Sequence, residues 1–149
     1  MITPELISRY NFFSDLELHQ LEGLASVAEG ITVEAGKYIF QEGSELTAFY
    51  IVVEGAVGIV RRQEGKEDTI ISAVGPGHVC AWSAMVPPHI ATASAKALTS
   101  CWLIAFNRKK LLSIFQKDCR FGYLMMQKIV QISRDRLLDA RIESLVFMA

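Results

Sequence analysis

The side chains of this 149-residue chain with the most chemistry to offer gather in GHVCAWSAMVPPHIATASA, from Gly77 to Ala95. The stretch supplies imidazoles (His78, His89), a thiol (Cys80), an indole (Trp82) and hydroxyls, yet holds no Asp, Glu, Lys or Arg. A metal site on a strand needs a close His-x-His and a following carboxylate. His19, His78 and His89 stand apart, and no Asp or Glu lies between Thr69 and Lys117. The same gap removes the carboxylate that would orient a nucleophile–imidazole pair. Cys80, Cys101 and Cys119 form no CxxC pair and are too few for a four-thiolate cluster. They read as buried, reduced thiols. Cys80, His78 and His89 share one loop region, which leaves haem open, though no spacing demands it. The chemistry is that of a binding loop, in a protein that is not an enzyme, with no cofactor or metal called for.

The flanking segments tell what positions this loop. Residues 12–28, FFSDLELHQLEGLASVA, carry Leu18, Leu21, Leu24 and Ala25 at helical spacing and predict an opening helix. Ser14 or Asp15 would cap it, with Glu17 in the first turn. Over residues 29–106 the period switches to two. ITVEAG, KYIFQEG, AFYIVVEG, AVGIVRRQEG, DTIISAVGPG, TASAKAL and SCWLIAFN read as short strands bounded by turn residues. Gly55 suits a tight turn needing positive φ, from which AVGIVRR returns beside AFYIVV. Residues 107–149 are helical again, as RKKLLSIF and then a long run from about Arg120 to Met148. The expected fold is a single domain, 1–149, mainly β with flanking helices: a jelly roll or small barrel between an N-terminal and a long C-terminal helix. The apolar run Cys101–Phe106 is too short to cross a bilayer, and MITPELISRY lacks a signal-peptide core. A net charge of −1 gives no global pull toward nucleic acid or an anionic membrane. A cytoplasmic protein without membrane attachment is expected.

Glycines and apolar blocks narrow the fold further. The pattern I-F-x-x-G…F-Y-I-V-x-x-G at Ile39–Gly55, the opening FFSDL and the Gly77 turn resemble the cyclic nucleotide-binding domain family, as in the catabolite activator protein. The resemblance covers nearly the whole chain. It implies a jelly roll (a double-stranded β-helix) in which residues 77–95 form the phosphate-binding cassette. The cassette frame is present at Ala84, Met85, Ala91 and Thr92. The family's ribose-binding Glu falls at Trp82 and its phosphate-binding Arg at His89. The ligand-binding candidates are then Ala81, Trp82, Ser83, Ala84, His89, Ile90 and Ala91. No Arg lies between Gln63 and Asn107, so the alignment cannot be shifted to recover one. Each charge-assisted pair contributes about 1.5–3 kcal/mol. Losing both would weaken cyclic AMP or cyclic GMP on the order of 100- to 10,000-fold. Trp82 either fills the pocket or stacks on a ligand, and His89 is a loop histidine satisfied locally or a weak anion contact. The resemblance implies a regulatory module for signal transduction of the bacterial type, taking a small-molecule effector not named by the sequence. The alternatives are a protein-interaction or scaffold domain with a closed pocket, and a nucleotide sensor using backbone amides near Ala81 together with His89.

The closing helix carries a second constellation. Met126, Val130, Ser133, Leu137, Ala140, Ser144 and Phe147 alternate four- and three-residue steps, the spacing of a coiled-coil seam. Leu124, Met125, Ile129 and Ile132 form another set suited to the β core, and one broad core face is the other reading of both sets. In the resembled family the corresponding helix pairs two subunits, which implies a homodimer. RDRLLDAR supplies mixed charges rather than a DNA-binding stripe. The chain reaches Ala149 without residues for a helix-turn-helix, so no nucleic acid is expected to bind within it. A stand-alone sensor and a sensor cut from its output domain both fit.

Overall fold

The structure, a computed structural model, describes residues 1–62 and 64–148, with helical side chains described as far as residue 139. The chain divides into two compact units, Met1–Ser113 and Ile114–Ala149.

The first unit opens with α1 (Pro4–Ser8), a 3-10 turn at Asn11–Phe13 and α2 (Leu18–Ser26). Helix α1 was not expected, although T-P-E-L carries its signal. Thr3 Oγ1 accepts the Leu6 N–H at 3.2 Å, and Pro4 takes the first helical position. The expected helix over 12–28 is shorter than its periodicity suggested. Its cap is Glu17, not Ser14 or Asp15: the Glu17 carboxylate accepts from the Gln20 backbone, and Gln20 Oε1 accepts the Glu17 N–H at 2.9 Å. This reciprocal box satisfies two orphan donors at once, which a single Ser or Asp three residues earlier would not.

Eight strands follow: β1 (Ala28–Val33), β2 (Tyr38–Phe40), β3 (Ala48–Glu54), β4 (Val57–Arg61), β5 (Thr69–Val74), β6 (Val79–Cys80), β7 (Ser94–Ala97) and β8 (Cys101–Asn107). They form two antiparallel sheets in the orders β1-β8-β3-β6 and β2-β7-β4-β5. Neighbours that are distant in sequence make this the expected jelly roll. Only the two-residue β6 had no counterpart in the sequence pattern. Between the sheets lie Val52, Val57, Val74, Cys80, Ala95, Ala97, Cys101 and Leu103, all buried.

Alternation along β3 and β8 explains why both read as near-continuous apolar runs. Val52 and Leu103, paired in register, face the interior of the roll. Phe49 pairs with Phe106 and turns to the other face, where the Phe106 ring stacks on Phe49 at 4.7 Å and meets Phe13 at 5.5 Å. Both faces of β3 and β8 are covered, so their middles call for no polar residue, whereas β1 at the sheet's edge exposes Glu29 and Thr32. The other sheet leaves one face in water, and most of β5 is exposed.

Helix α3 (Arg108–Lys117) follows β8 directly. In the second unit, α4 runs from Cys119 to Met148. Its first turn is capped by Asp118, whose Oδ1 accepts the Phe121 N–H at 3.1 Å, and the Phe115 and Phe121 rings meet edge-on at 5.1 Å. Met125 and Ile129 are buried, whereas Val130 and Leu137 are exposed at 66% and 61%. Met126 and Ser133 are half-buried. The side chains of Ala140, Ser144 and Phe147 lie outside the described residues. The expectation of three buried thiols is corrected at Cys119, which is exposed because it begins α4 on its solvent side; Cys80 and Cys101 are buried.

Candidate functional site

The Gly77–Ala95 stretch links β5 to β7. Gly77 has φ +85°, and its N–H donates to Val52 O at 2.8 Å while the Val52 N–H donates to His78 O at 3.0 Å. These bonds fasten the start of the stretch to the middle of β3. Strand β6 extends the attachment, with Cys80 opposite Tyr50. Ala81 then turns left-handed at φ +62° and leads into a 3-10 turn, Trp82–Met85. Within it Ala84 and Met85 are buried, while Trp82 and Ser83 are half-buried. Val86, Pro87 and Pro88 form an exposed tip, and Ile90 is exposed at 37%.

His89 closes the tip. It holds φ +65°, a left-handed conformation uncommon outside glycine. Its Nδ1 lies 2.7 Å from Ala84 O, and because a carbonyl only accepts, Nδ1 carries the proton. The His89 N–H donates to Val86 O at 2.9 Å, and its carbonyl accepts the Leu46 N–H at 2.7 Å. Ala91 is buried and exchanges bonds with the β2–β3 loop: its N–H donates to Ser44 O and its carbonyl accepts from Gly43, both at 2.9 Å. Ile90 bridges to Glu45. All seven candidate residues thus lie in one segment, Ala81–Ala84 at one end and His89–Ala91 at the other. The histidine is satisfied by backbone, as one of its two readings had it.

Three residues escaped sequence reasoning. Ser94, fully buried, accepts the Glu42 N–H on Oγ at 2.8 Å. Arg108, only 5% exposed, donates from Nη1 to Leu46 O at 2.8 Å and from Nη2 to Glu45 Oε1 at 2.9 Å. The hydrogen bond and the charge of Arg108 hold the Glu45 carboxyl below its usual range. Any contribution of that contact is therefore present above the ordinary carboxylate range and fades as pH falls through the lowered value. The only signal for Arg108 was a cation placed directly after an apolar strand.

The basic groups nearest the segment are committed elsewhere. Lys96 is the single Lys or Arg between Lys66 and Arg108. Its neighbours Ala95 and Ala97 face the core, so alternation turns Lys96 to the outer face of its sheet, 3.5 Å from Asp68. Tyr38 donates its hydroxyl hydrogen bond to the same carboxylate. Arg62 donates to Gln41 Oε1 at 2.8 Å and lies over the Tyr38 ring. Inside the roll, Phe40 and Tyr50 stack across the two sheets at 6.2 Å, and burial pushes the Tyr50 hydroxyl pKa up. Among the described residues no group of three or more His, Cys, Asp or Glu could hold a metal ion. No described helix is long and apolar enough to cross a membrane.

Comparison with known proteins agrees with this geometry. A family model for the cyclic nucleotide-binding domain matches residues 31–118. A cAMP-activated global transcriptional regulator of Mycobacterium tuberculosis is 24% identical over 73% of this chain and 49% of its own length. The potassium channel AKT1 of rice is 30% identical over 60% of this chain and 10% of the channel. The chain therefore spans about half the length of the first relative and a tenth of the second. Among solved structures, a Geobacter metallireducens protein named for cyclic nucleotide binding superposes with a TM-score of 0.83. It is 26% identical, and the match covers 92% of this chain and 99% of that one. With the interleaved two-sheet roll and the matched region in agreement, the chain belongs to the cyclic nucleotide-binding domain family.

Proposed function

We propose that residues 1–149 form one regulatory module that works as a homodimer paired through α4, and whose cassette does not grip a cyclic nucleotide by the family's pair of charges. The observation that carries the second half is the disposition of basic groups. Lys96 points away from the roll, Arg108 is buried on Leu46 and Glu45, and His89 is bonded to the cassette's own backbone. A cyclic phosphate entering beside Ala81–Met85 would meet only neutral donors, backbone N–H groups with the Ser83 hydroxyl and the Trp82 indole, a weak anion site without a cation opposite. Trp82 in place of a carboxylate also leaves a ribose hydroxyl without its acceptor. The M. tuberculosis relative is named a transcriptional regulator. Its counterpart here is a cytoplasmic, signal-responsive module without catalysis, taking a small-molecule effector of another class or acting through protein contacts alone.

The test is a thermal-shift titration with cyclic AMP and cyclic GMP up to millimolar concentration. A ligand at 100 times its dissociation constant adds about 2.7 kcal/mol, roughly 5–10 °C for a domain of this size. The expected result is no shift. A shift of that size would overturn the reading in favour of a nucleotide sensor using backbone amides.

The dimer has its own consequence. Val130 and Leu137 stand seven residues apart and exposed, two of the four seam residues whose side chains are described. Val130→Glu with Leu137→Glu would bring four carboxylates into a twofold seam without disturbing the monomer core. Burying unpaired charge costs several kcal/mol, so dimer dissociation should rise at least about 100-fold. Sedimentation equilibrium checks this: wild type as dimer, variant as folded monomer. A variant that remains dimeric would place the interface elsewhere.

A further inference from the structure

The bonds around His89 form one unbroken run. Its imidazole donates from Nδ1 to Ala84 O inside the 3-10 turn, and its carbonyl receives the Leu46 N–H. The Leu46 carbonyl in turn receives Nη1 of Arg108, and the Arg108 N–H donates to Thr47 O at 2.9 Å. Cassette turn, tip, β2–β3 loop and the first residue of α3 are thereby joined by consecutive hydrogen bonds within the first unit. The run is flanked on the same loop by the Ala91–Ser44 and Gly43–Ala91 bonds. The left-handed backbone of His89 belongs to this arrangement, because such a conformation persists in a non-glycine residue where its surroundings fix it.

We infer that His89 is an internal brace, a positioning residue whose ring holds the cassette turn while its carbonyl holds the β2–β3 loop and, through Arg108, α3, so that the cassette is held closed without an effector. The inference rests on the reading of residues 77–95 as the cassette. An anion held between the turn and an arginine at this position would link the two sides of the loop through the ligand. Here the residue at that position links them itself. Arg108 is suited to pass the constraint on, since its buried, planar guanidinium holds a carbonyl and a carboxylate of one loop in a fixed fork.

Amide hydrogen exchange of the full chain tests this residue by residue. His89→Ala should speed exchange about 5- to 10-fold, the size that one hydrogen bond supports, at the Leu46 and Arg108 amides. The Leu103 amide, in the middle of the β1–β8–β3 ladder, should be unchanged and reports any global loss of stability. His89→Asn places an N–H donor the same number of bonds from Cβ as Nδ1 and tolerates left-handed backbone, so it should restore most of the protection. His89→Phe keeps a ring without the donor and should behave as His89→Ala. Linkage requires the converse too: Arg108→Gln should speed exchange at the Leu46 amide and at His89, whose N–H donates to Val86 O. If Arg108→Gln does not fold, the three variants at half-buried His89 still decide the matter. Acceleration confined to residues 84–89 would overturn the coupling. Protection restored by Phe and not by Asn would overturn the brace. The exchange rates do not depend on α4 pairing or on nucleotide, so either part of the functional reading can fail without changing them.

Discussion

A chain carrying Trp82→Glu together with His89→Arg is expected to bind cyclic AMP about 100- to 10,000-fold more tightly than the wild type. On the proposed reading of residues 77–95 as the cassette, the two substitutions would supply an acceptor for the ribose hydroxyl at the first residue of the 3-10 turn and a guanidinium for the phosphate at the tip. Hydrogen bonds to charged groups contribute about 1.5–3 kcal/mol each, so the pair amounts to about 3–6 kcal/mol, at 1.4 kcal/mol per tenfold change. The frame that must present them is already in place. Ala84, Met85 and Ala91 are buried, and both ends of the segment are bonded to strands or loops of the roll. Calorimetric titration of the double variant, the two single variants and the wild type checks the claim. Each single variant should recover a part only, because one grip leaves the ligand's other polar group unmatched. A double variant that binds no better than wild type would show that the tip Val86–Pro88, rather than the missing charges, keeps nucleotide out.

How much of this was legible in the sequence follows from the range of the interactions concerned. Strands β3 and β8 stood out because each is covered on both faces, which writes continuous apolar runs into AFYIVV and CWLIAF. Of the small residues singled out between Gly77 and Ala95, Ala84 and Ala91 are buried, and Val130 and Leu137 on α4 are exposed. Missed features divide into two kinds. Helix α1 and the Glu17–Gln20 box had local signals that a longer periodic stretch obscured. The Arg108–Glu45 pair spans 63 residues, and a cation directly after an apolar strand does not name its partner. Part of the same holds for His89, whose carbonyl bond to the Leu46 N–H spans 43 positions while its bonds to Val86 and Ala84 are local. The candidate segment was thus singled out by its chemistry, whereas its bonds to the β2–β3 loop became visible only when that loop lay beside it.

Gly55→Ala should cost about 3–5 kcal/mol, a large share of the stability of a domain this size. Gly55 makes the β3–β4 turn at φ +93°, where a Cβ would lie 2.4 Å from Ser100 O and 3.0 Å from Cys101 Cα. Positive φ alone costs an alanine about 1–2 kcal/mol. Steric crowding in a packed region adds about 1–3 kcal/mol, and about 2–3 kcal/mol here because Ser100 O and Cys101 Cα are backbone that cannot rotate away. Relief would require β8 to move, yet β8 is hydrogen-bonded on both sides, to β1 and β3. Gly43→Ala separates the two contributions, since Gly43 also has positive φ, +85°, with nothing within 4 Å of its Cβ position. Thermal or urea unfolding should therefore show a fall of about 10 °C or more for Gly55→Ala and roughly 2–6 °C for Gly43→Ala. Equal losses would mean that the β8 backbone yields and that backbone conformation alone selects glycine at this turn. Unequal losses would locate the constraint in the contact between the β3–β4 turn and β8. That contact sets where β4 enters the second sheet and hence the spacing of the two walls between which Phe40 and Tyr50 stack.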